Sequence, residues 1–402
     1  MASPRSRVRS LLPAPALALA LLVAAVPGTP AAPAAPAGPA APAGAGGSGR
    51  PGEQLVEGWP VRTPVRAGLR GRALVRGAEV AEAKRSTCFA VTRRGRLVRD
   101  WSWGLSRETP RPVFSVTKSV TSTLVGIAVR DGDLRLDDPV ATWVPQWRDT
   151  PSETVTVRHL LAGDSGRYWS LASDYRDLLA AVDRTAYAVG LGQQHAPGSA
   201  WAYNNAAIAV LEAVLERATG TPVARFARTR LFRPLGMRRT TFVTDRTDSP
   251  TNFYGVRSTC LDLARLADLY LGRGRVGGRR LLDRSFVTQA VGRPSTPHNA
   301  AYGLLWWLNR TGPLRGVADP VDALGQPLSP VTGQLAPGEP QSLFAAVGAG
   351  GQVVLADPTS GTVVVRLGAP AAEGAEPYAV ADAAAVTSRA LRAGGAAGSR
   401  RR

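Results

Sequence analysis

Two groups of short apolar runs stand near opposite ends of this chain, and a long segment with helical periodicity lies between them. At one end, Cys88-Phe89-Ala90-Val91-Thr92 and Leu97-Val98-Arg99-Asp100-Trp101 flank Arg93-Arg94-Gly95-Arg96, which predicts a hairpin opening the domain. At the other end, residues 342–347, 352–356 and 362–367 predict three strands. The last two are joined by Asp357-Pro358-Thr359-Ser360-Gly361 at antiparallel hairpin spacing. In between, residues 115–130, 157–161, 205–219 and 260–271 take the helical period, with Leu261, Leu263, Leu266, Leu269 and Leu271 recurring in the last of them. The alanine-rich stretch 378–392 predicts a closing helix that covers the sheet. A chain with strands at both ends and helices in its middle pairs its terminal segments in one sheet. The expected fold is therefore α/β of the α+β kind: an antiparallel sheet flanked by helices, plus a mostly helical lobe, with an active site in the cleft between them.

The ends of the chain read differently. Arg5, Arg7 and Arg9 precede an apolar run from about Leu11 to Val26, then Pro27, Gly28 and small residues, the three-part layout of a secretory signal peptide over residues 1–30. Residues 31–52 are nearly all Ala, Pro and Gly and predict a linker. The domain is expected over 53–392, and 393–402 form a Gly/Ala tail ending in three arginines. The mature protein is expected outside the cytoplasm. In that oxidising setting the two cysteines, Cys88 and Cys260, most simply form one disulfide, the alternative being two buried thiols.

The formal charge of +19 invites a nucleic-acid reading, but the arginines are scattered in short pairs without interleaved aromatics. No nucleic-acid partner is expected; contact with an anionic envelope polymer is the narrower possibility that the charge leaves. The histidines are His159, His195 and His298, without metal-ligand spacing, and neither a metal nor an organic cofactor is expected.

Of 49 basic side chains only Lys84 and Lys118 are lysines, and Lys118 stands three residues after Ser115 in Phe114-Ser115-Val116-Thr117-Lys118-Ser119. Arginine holds its proton at physiological pH, whereas a desolvated lysine becomes a neutral amine able to act as a base. At the start of a helix the two side chains share a face and meet, so Lys118 can take the Ser115 proton as an acyl bond forms. Tyr203-Asn204-Asn205 follows Pro197-Gly198 on a loop before a helix. Tyr203 is suited to pass a proton to the leaving group, its phenol pKa held down by the lysine, and Asn205 is either a substrate ligand or a helix N-cap. Gly348-Ala349-Gly350-Gly351-Gln352 lies between two predicted strands, where the amides of Gln352 and Ser115 can bind an oxyanion. It leads into a strand, not a helix, which argues against a phosphate loop. No Gly-x-Ser-x-Gly elbow is present. Trp306-Trp307 reads as core or as cleft lining.

These residues occur in one order with Asp137-Asp138-Pro139-Val140, His159-Leu160-Leu161 to Ser165-Gly166, and Phe232-Arg233-Pro234-Leu235-Gly236-Met237. From about Val61 to Leu391 the chain resembles the penicillin-recognising serine hydrolases, especially the class C β-lactamase-related branch that includes esterases and 6-aminohexanoate-dimer hydrolases. The resemblance implies an acyl-enzyme on Ser115, Lys118 and Tyr203 as the proton-handling pair, and no metal. It also implies substrate contacts at Asn205, at Ala349, Gly350 and Gly351, and at Asp164 and Tyr168-Trp169. One departure stands out: Ala349-Gly350-Gly351 occupies the place where relatives carry Lys-Thr-Gly or His-x-Gly. That favours a small amide or ester without a carboxylate there over a β-lactam or D-Ala-D-Ala peptide. A non-catalytic envelope-binding module is the alternative from another class.

Overall fold

The computed structural model describes residues 55–247, 249–317 and 331–391; the expected leader, linker and basic tail lie outside the described residues. Six strands form the main sheet: β1 (Ser86–Arg93), β2 (Arg96–Ser102), β3 (Trp307–Leu308), β4 (Phe344–Gly348), β5 (Gln352–Asp357) and β6 (Thr362–Gly368). Their order is β3-β4-β5-β6-β1-β2, with every neighbouring pair antiparallel. The first hairpin and the C-terminal strands thus join through β6 and β1, with Val364 opposite Val91.

Both faces of this sheet are covered, which explains why its strands read as continuous apolar runs instead of alternating with polar residues. Val353, Leu355 and Val364 pack on one face with Phe89 and Val91, while Val354, Ala356, Val363 and Val365 pack on the other. The first face meets helices α1 (Gly71–Ala83) and, at the other end of the chain, the closing helix Val380–Ala390. α1 is a correction to the expected opening: a helix precedes the hairpin. Its buried positions are Ala73, Leu74, Ala78 and Ala81, an apolar stripe set against a face of charged residues.

The second face carries the helical layer: α2 (Val116–Asp131), α3 (Val157–Ala162), α4 (Asn205–Ala209), α5 (Leu211–Thr219) and α6 (Cys260–Leu271). The helix expected over 205–219 is divided at Val210 into α4 and α5. The α6 boundaries agree with the leucine recurrence. Cys88 of β1 and Cys260 at the start of α6 are joined by a disulfide, Cα atoms 6.2 Å apart and 172 residues apart in sequence, tying sheet to helical layer. Among the described residues no helix is long and apolar enough to cross a membrane.

α2 is the pivot between the layers. Every residue from Val116 to Ala128 is buried, so the helix has no solvent face and its hydroxyls need internal partners. Ser119 donates to the Leu305 carbonyl, Ser122 to Leu304 and Thr121 to Asn252, while Thr117 accepts from the Val256 amide. These bonds hold α2 in one register against the loops around it.

Candidate active site

Ser115 sits immediately before α2, following a residue in an unusual conformation. Phe114 has φ of 48°, a left-handed value that disfavours a bulky side chain and persists only where surrounding structure imposes it. That turn delivers Ser115 half-buried at the mouth of the helix. One turn on, the Lys118 ammonium donates to Ser115 Oγ at 2.9 Å and to the Phe253 carbonyl at 2.9 Å. Lys118 is 2% exposed, and burial pulls its pKa from 10.5 down to about 7, the negative charge of Asp174 partly opposing the fall. A large fraction of this lysine is therefore a neutral amine at physiological pH. The other lysine offers a contrast: Lys84 pairs with Asp382 at 2.8 Å, partly exposed, tying α1 to the closing helix.

Tyr203 lies over the same ammonium, with Lys118 Nζ 4.7 Å from the ring centre. The ring is buried within an aromatic cluster: it stacks on Trp307 at 5.8 Å and 22°, and Tyr302 stands edge-on at 6.2 Å. Trp307 is thus both core and wall of the site. Trp306, on the other hand, is wholly interior against Tyr270 and Phe344. The expectation that the lysine holds the Tyr203 phenol down is not met. Burial pushes its pKa well above the ordinary phenol value, Asp174 adds to the rise, and a hydrogen bond with Ser115 only partly offsets it. Tyr203 is a phenol with its proton in place, close to the serine hydroxyl.

The loop after Tyr203 corrects the reading of its two asparagines. The N-cap of α4 is Asn204, whose side chain accepts from the Ala207 amide at 2.8 Å and donates to the Arg167 and Tyr168 carbonyls. Asn205 is the first helical residue; its amide donates to Asp174 at 2.7 Å, and the Ala206 amide donates to the same carboxylate at 2.9 Å. The Asn205 side-chain oxygen is buried and makes no close hydrogen bond among the described residues, and the side chain lies beside the Tyr175 phenol. Asp174 carried no signal in the sequence: its role depends on a segment 31 residues upstream of Asn205 folding over the helix start. Burial raises its pKa to about 6.

The glycine-rich segment closes the opposite side. β4 ends at Gly348, where an added Cβ would lie 2.3 Å from the Val113 carbonyl and 3.3 Å from the Ser115 amide nitrogen. Only glycine allows the strand to come so close to Ser115. Gln352 stands one strand back: it pairs with Gly348 across the β4–β5 ladder, and its side chain exchanges hydrogen bonds with Gly368 of β6. The strand end that approaches Ser115 is therefore Gly348–Ala349, in place of the expected Gln352. The amides of Ser115 and Ala349 donate to no other group among the described residues.

Tyr168 and Asp164 lie on the segment that follows α3. The Tyr168 side chain is 42% exposed, and its backbone is tied to Gly192 and Asn204. Asp164 is buried, facing His159, Thr296 and His298. His159 caps α3 together with Thr156, and His298 reaches the Gly198 carbonyl, so both are engaged structurally. A separate cavity of about 220 Å³, lined in part by Asp183, Thr185, Glu212 and Arg217, lies in the helical lobe and includes none of Ser115, Lys118 and Tyr203.

With this geometry in hand, comparison with known proteins is informative. A family model described as Beta-lactamase matches residues 72–385, most of the chain. Esterase EstB of Burkholderia gladioli is 36% identical over 180 residues, covering 38% of this chain and 46% of the esterase, so the match spans under half of that relative's length. Among solved structures, a candidate 6-aminohexanoate-dimer hydrolase from Bacillus anthracis superposes with a TM-score of 0.61 at 19% identity, covering 77% of this chain and 79% of that one. A class C beta lactamase from Rhodobacter sphaeroides superposes with a TM-score of 0.55 at 21% identity, covering 80% and 98%. At such identities the structural likeness speaks for the fold: an antiparallel sheet flanked by helices.

Proposed function

The chain belongs to the beta-lactamase family, and from that premise we propose that it is a serine hydrolase that cleaves a small neutral ester or amide through an acyl-enzyme on Ser115. The observation that carries this reading is the 2.9 Å hydrogen bond between a buried Lys118 and Ser115 Oγ, made by a lysine whose pKa lies at about 7. Family membership gives a small-molecule substrate; the residues give the steps.

Neutral Lys118 takes the Ser115 proton as Oγ attacks the substrate carbonyl, and the new ammonium is held by the Phe253 carbonyl. The oxyanion accepts from the Ser115 and Ala349 amides, neither of which has a hydrogen-bond partner among the described residues. As the tetrahedral intermediate collapses, Tyr203 gives its phenolic proton to the leaving group and recovers one from the Lys118 ammonium beneath its ring. The raised phenol pKa suits this role, since a group that must donate a proton needs to hold it first. Water then attacks the acyl carbonyl by the same route reversed. Asn205, two residues after Tyr203 at the start of α4, is the candidate substrate contact on that side.

The preference for a substrate without a carboxylate rests on the Ala349 side. Arg366 is the guanidinium that reaches the Ala349–Gly351 loop, and its donors are spent on Ser86 and on backbone carbonyls. It does not replace the cation of Lys-Thr-Gly. Export by the leader peptide, and weak attraction of the arginine-rich surface to an anionic envelope, complete the reading. A fluorophosphonate tests it: the pure protein is expected to gain one adduct mass on Ser115, and Ser115→Ala to lose both the adduct and hydrolysis. A panel of neutral esters, D-amino-acid amides, linear amide oligomers and a chromogenic cephalosporin then identifies the substrate class. No adduct and no Ser115-dependent turnover on any of them would sink the proposal.

A further inference from the structure

Arg366 on β6 is 1% exposed, yet its donors go to neutral oxygens. Nε donates to Ser86 Oγ at 2.7 Å, Nη2 to the Lys84 and Ala369 carbonyls at 2.5 and 3.2 Å, and Nη1 to the Gly350 and Gly351 carbonyls at 2.7 and 3.0 Å. The Tyr378 ring covers the guanidinium at 5.4 Å. From the neighbouring strand, Gln352 Nε2 donates to the Ala349 and Gly350 carbonyls at 3.0 and 3.3 Å. Each of the three carbonyls in the Ala349–Gly351 loop is therefore held from behind by one or both of two buried side chains. Gly350 and Gly351 have φ of 74° and 76°, conformations that glycine adopts freely and therefore also leaves freely unless fixed.

A buried guanidinium is a costly way to stabilise a hairpin, because desolvation must be offset by geometry; here burial pulls its pKa to about 10. What a planar, five-donor group supplies, and an apolar side chain cannot, is the fixed orientation of several peptide planes at once. The fixed planes directly follow the Gly348–Ala349 peptide, which carries the Ala349 amide and whose Gly348 lies against Ser115. We propose that Arg366, aided by Gln352, is a positioning residue that locks the Ala349–Gly351 loop and keeps the Ala349 amide aimed at the oxyanion. This inference rests on the Ser115 acyl-enzyme reading.

The test compares wild-type protein with Arg366→Lys, which keeps the charge but not the fork, and with Gly351→Ala. In the latter an added Cβ would meet the Tyr378 carbonyl at 2.8 Å and Arg366 Nη1 at 3.0 Å, displacing the loop while leaving the arginine in place. With a neutral nitrophenyl ester, kcat/KM is expected to fall by about 100-fold and KM to change by less than about threefold. Affinity for phenylboronic acid, which forms a tetrahedral adduct on the serine, should fall in parallel with kcat/KM. A role confined to folding would lower Tm without that parallel loss. If Arg366→Lys does not fold, Gly351→Ala decides the matter. Wild-type acylation rates and boronate affinity in the folded variants overturn the clamp alone. A wild-type protein that the fluorophosphonate does not label overturns the hydrolase reading on which it rests.

Discussion

Lys118 and Ser115 are joined by a 2.9 Å hydrogen bond in which the donor is a lysine without a carboxylate within ion-pair distance among the described residues. Its ammonium is satisfied by a hydroxyl and by the Phe253 carbonyl, and faces the Tyr203 ring. Such surroundings stabilise a charge less than water does, and the consequence is a base available near neutrality.

Lys118→Arg keeps the charge and removes the base, because a guanidinium does not lose its proton in this pH range. Acylation is expected to slow by about 10²–10⁴-fold, with the protein still folded. Burst-phase labelling by the fluorophosphonate measures it, and wild-type rates in this variant would overturn the role given to Lys118.

The proposed reaction requires Lys118 neutral, so the acylation rate should rise with pH through a midpoint near 7. The charge of Asp174 favours the protonated lysine and raises that midpoint. Asp174→Asn removes the charge, so the acidic limb is expected to move to lower pH; a limb that stays in place or moves upward contradicts the coupling. A kcat/KM profile on both proteins reads the sign directly.

Gly348→Ala tests the close approach of β4 to Ser115. Its methyl group would fall 2.3 Å from the Val113 carbonyl, so the strand end must retreat from Ser115. A loss of about 10²–10³-fold in kcat is expected, the scale of removing one oxyanion donor. Near-normal turnover would place the second donor elsewhere.

The Cys88–Cys260 bridge closes a separation of 172 residues between β1 and α6. Chain entropy puts its contribution at up to about 5 kcal/mol. Titration of the unfolded, unreduced protein should find no free thiol, and Cys88→Ala/Cys260→Ala should unfold at markedly lower denaturant. Equal midpoints would show that the bridge adds nothing to the packing of sheet on helix.

Local chemistry was enough to mark Ser115, Lys118 and Tyr203, because each sits in a motif whose spacing is set within one turn or loop. The strand groups at both ends of the chain and the α6 leucine period were legible for the same reason. α1 was missed, although its apolar and charged positions alternate with the helical period. The identity of the N-cap also escaped: Asn204 and Asn205 are equivalent by type, and only the fold shows which one turns back onto Ala207.

The sequence by itself determined the candidate bond-making group, a serine with a lysine one helical turn away, because α-helical geometry brings i and i+3 together wherever the helix lies. Tertiary structure decided how those groups behave. Burial of α2 on all sides sets the Lys118 pKa; the aromatic cluster, not the lysine, sets that of Tyr203; and Asp174 arrives from a segment with no motif at all. Arg366, one arginine among many in the sequence, became identifiable only when its donors were seen on the loop beside Ser115. Desolvation and the direction of a peptide plane depend on atoms far apart in the chain, and no local pattern records them.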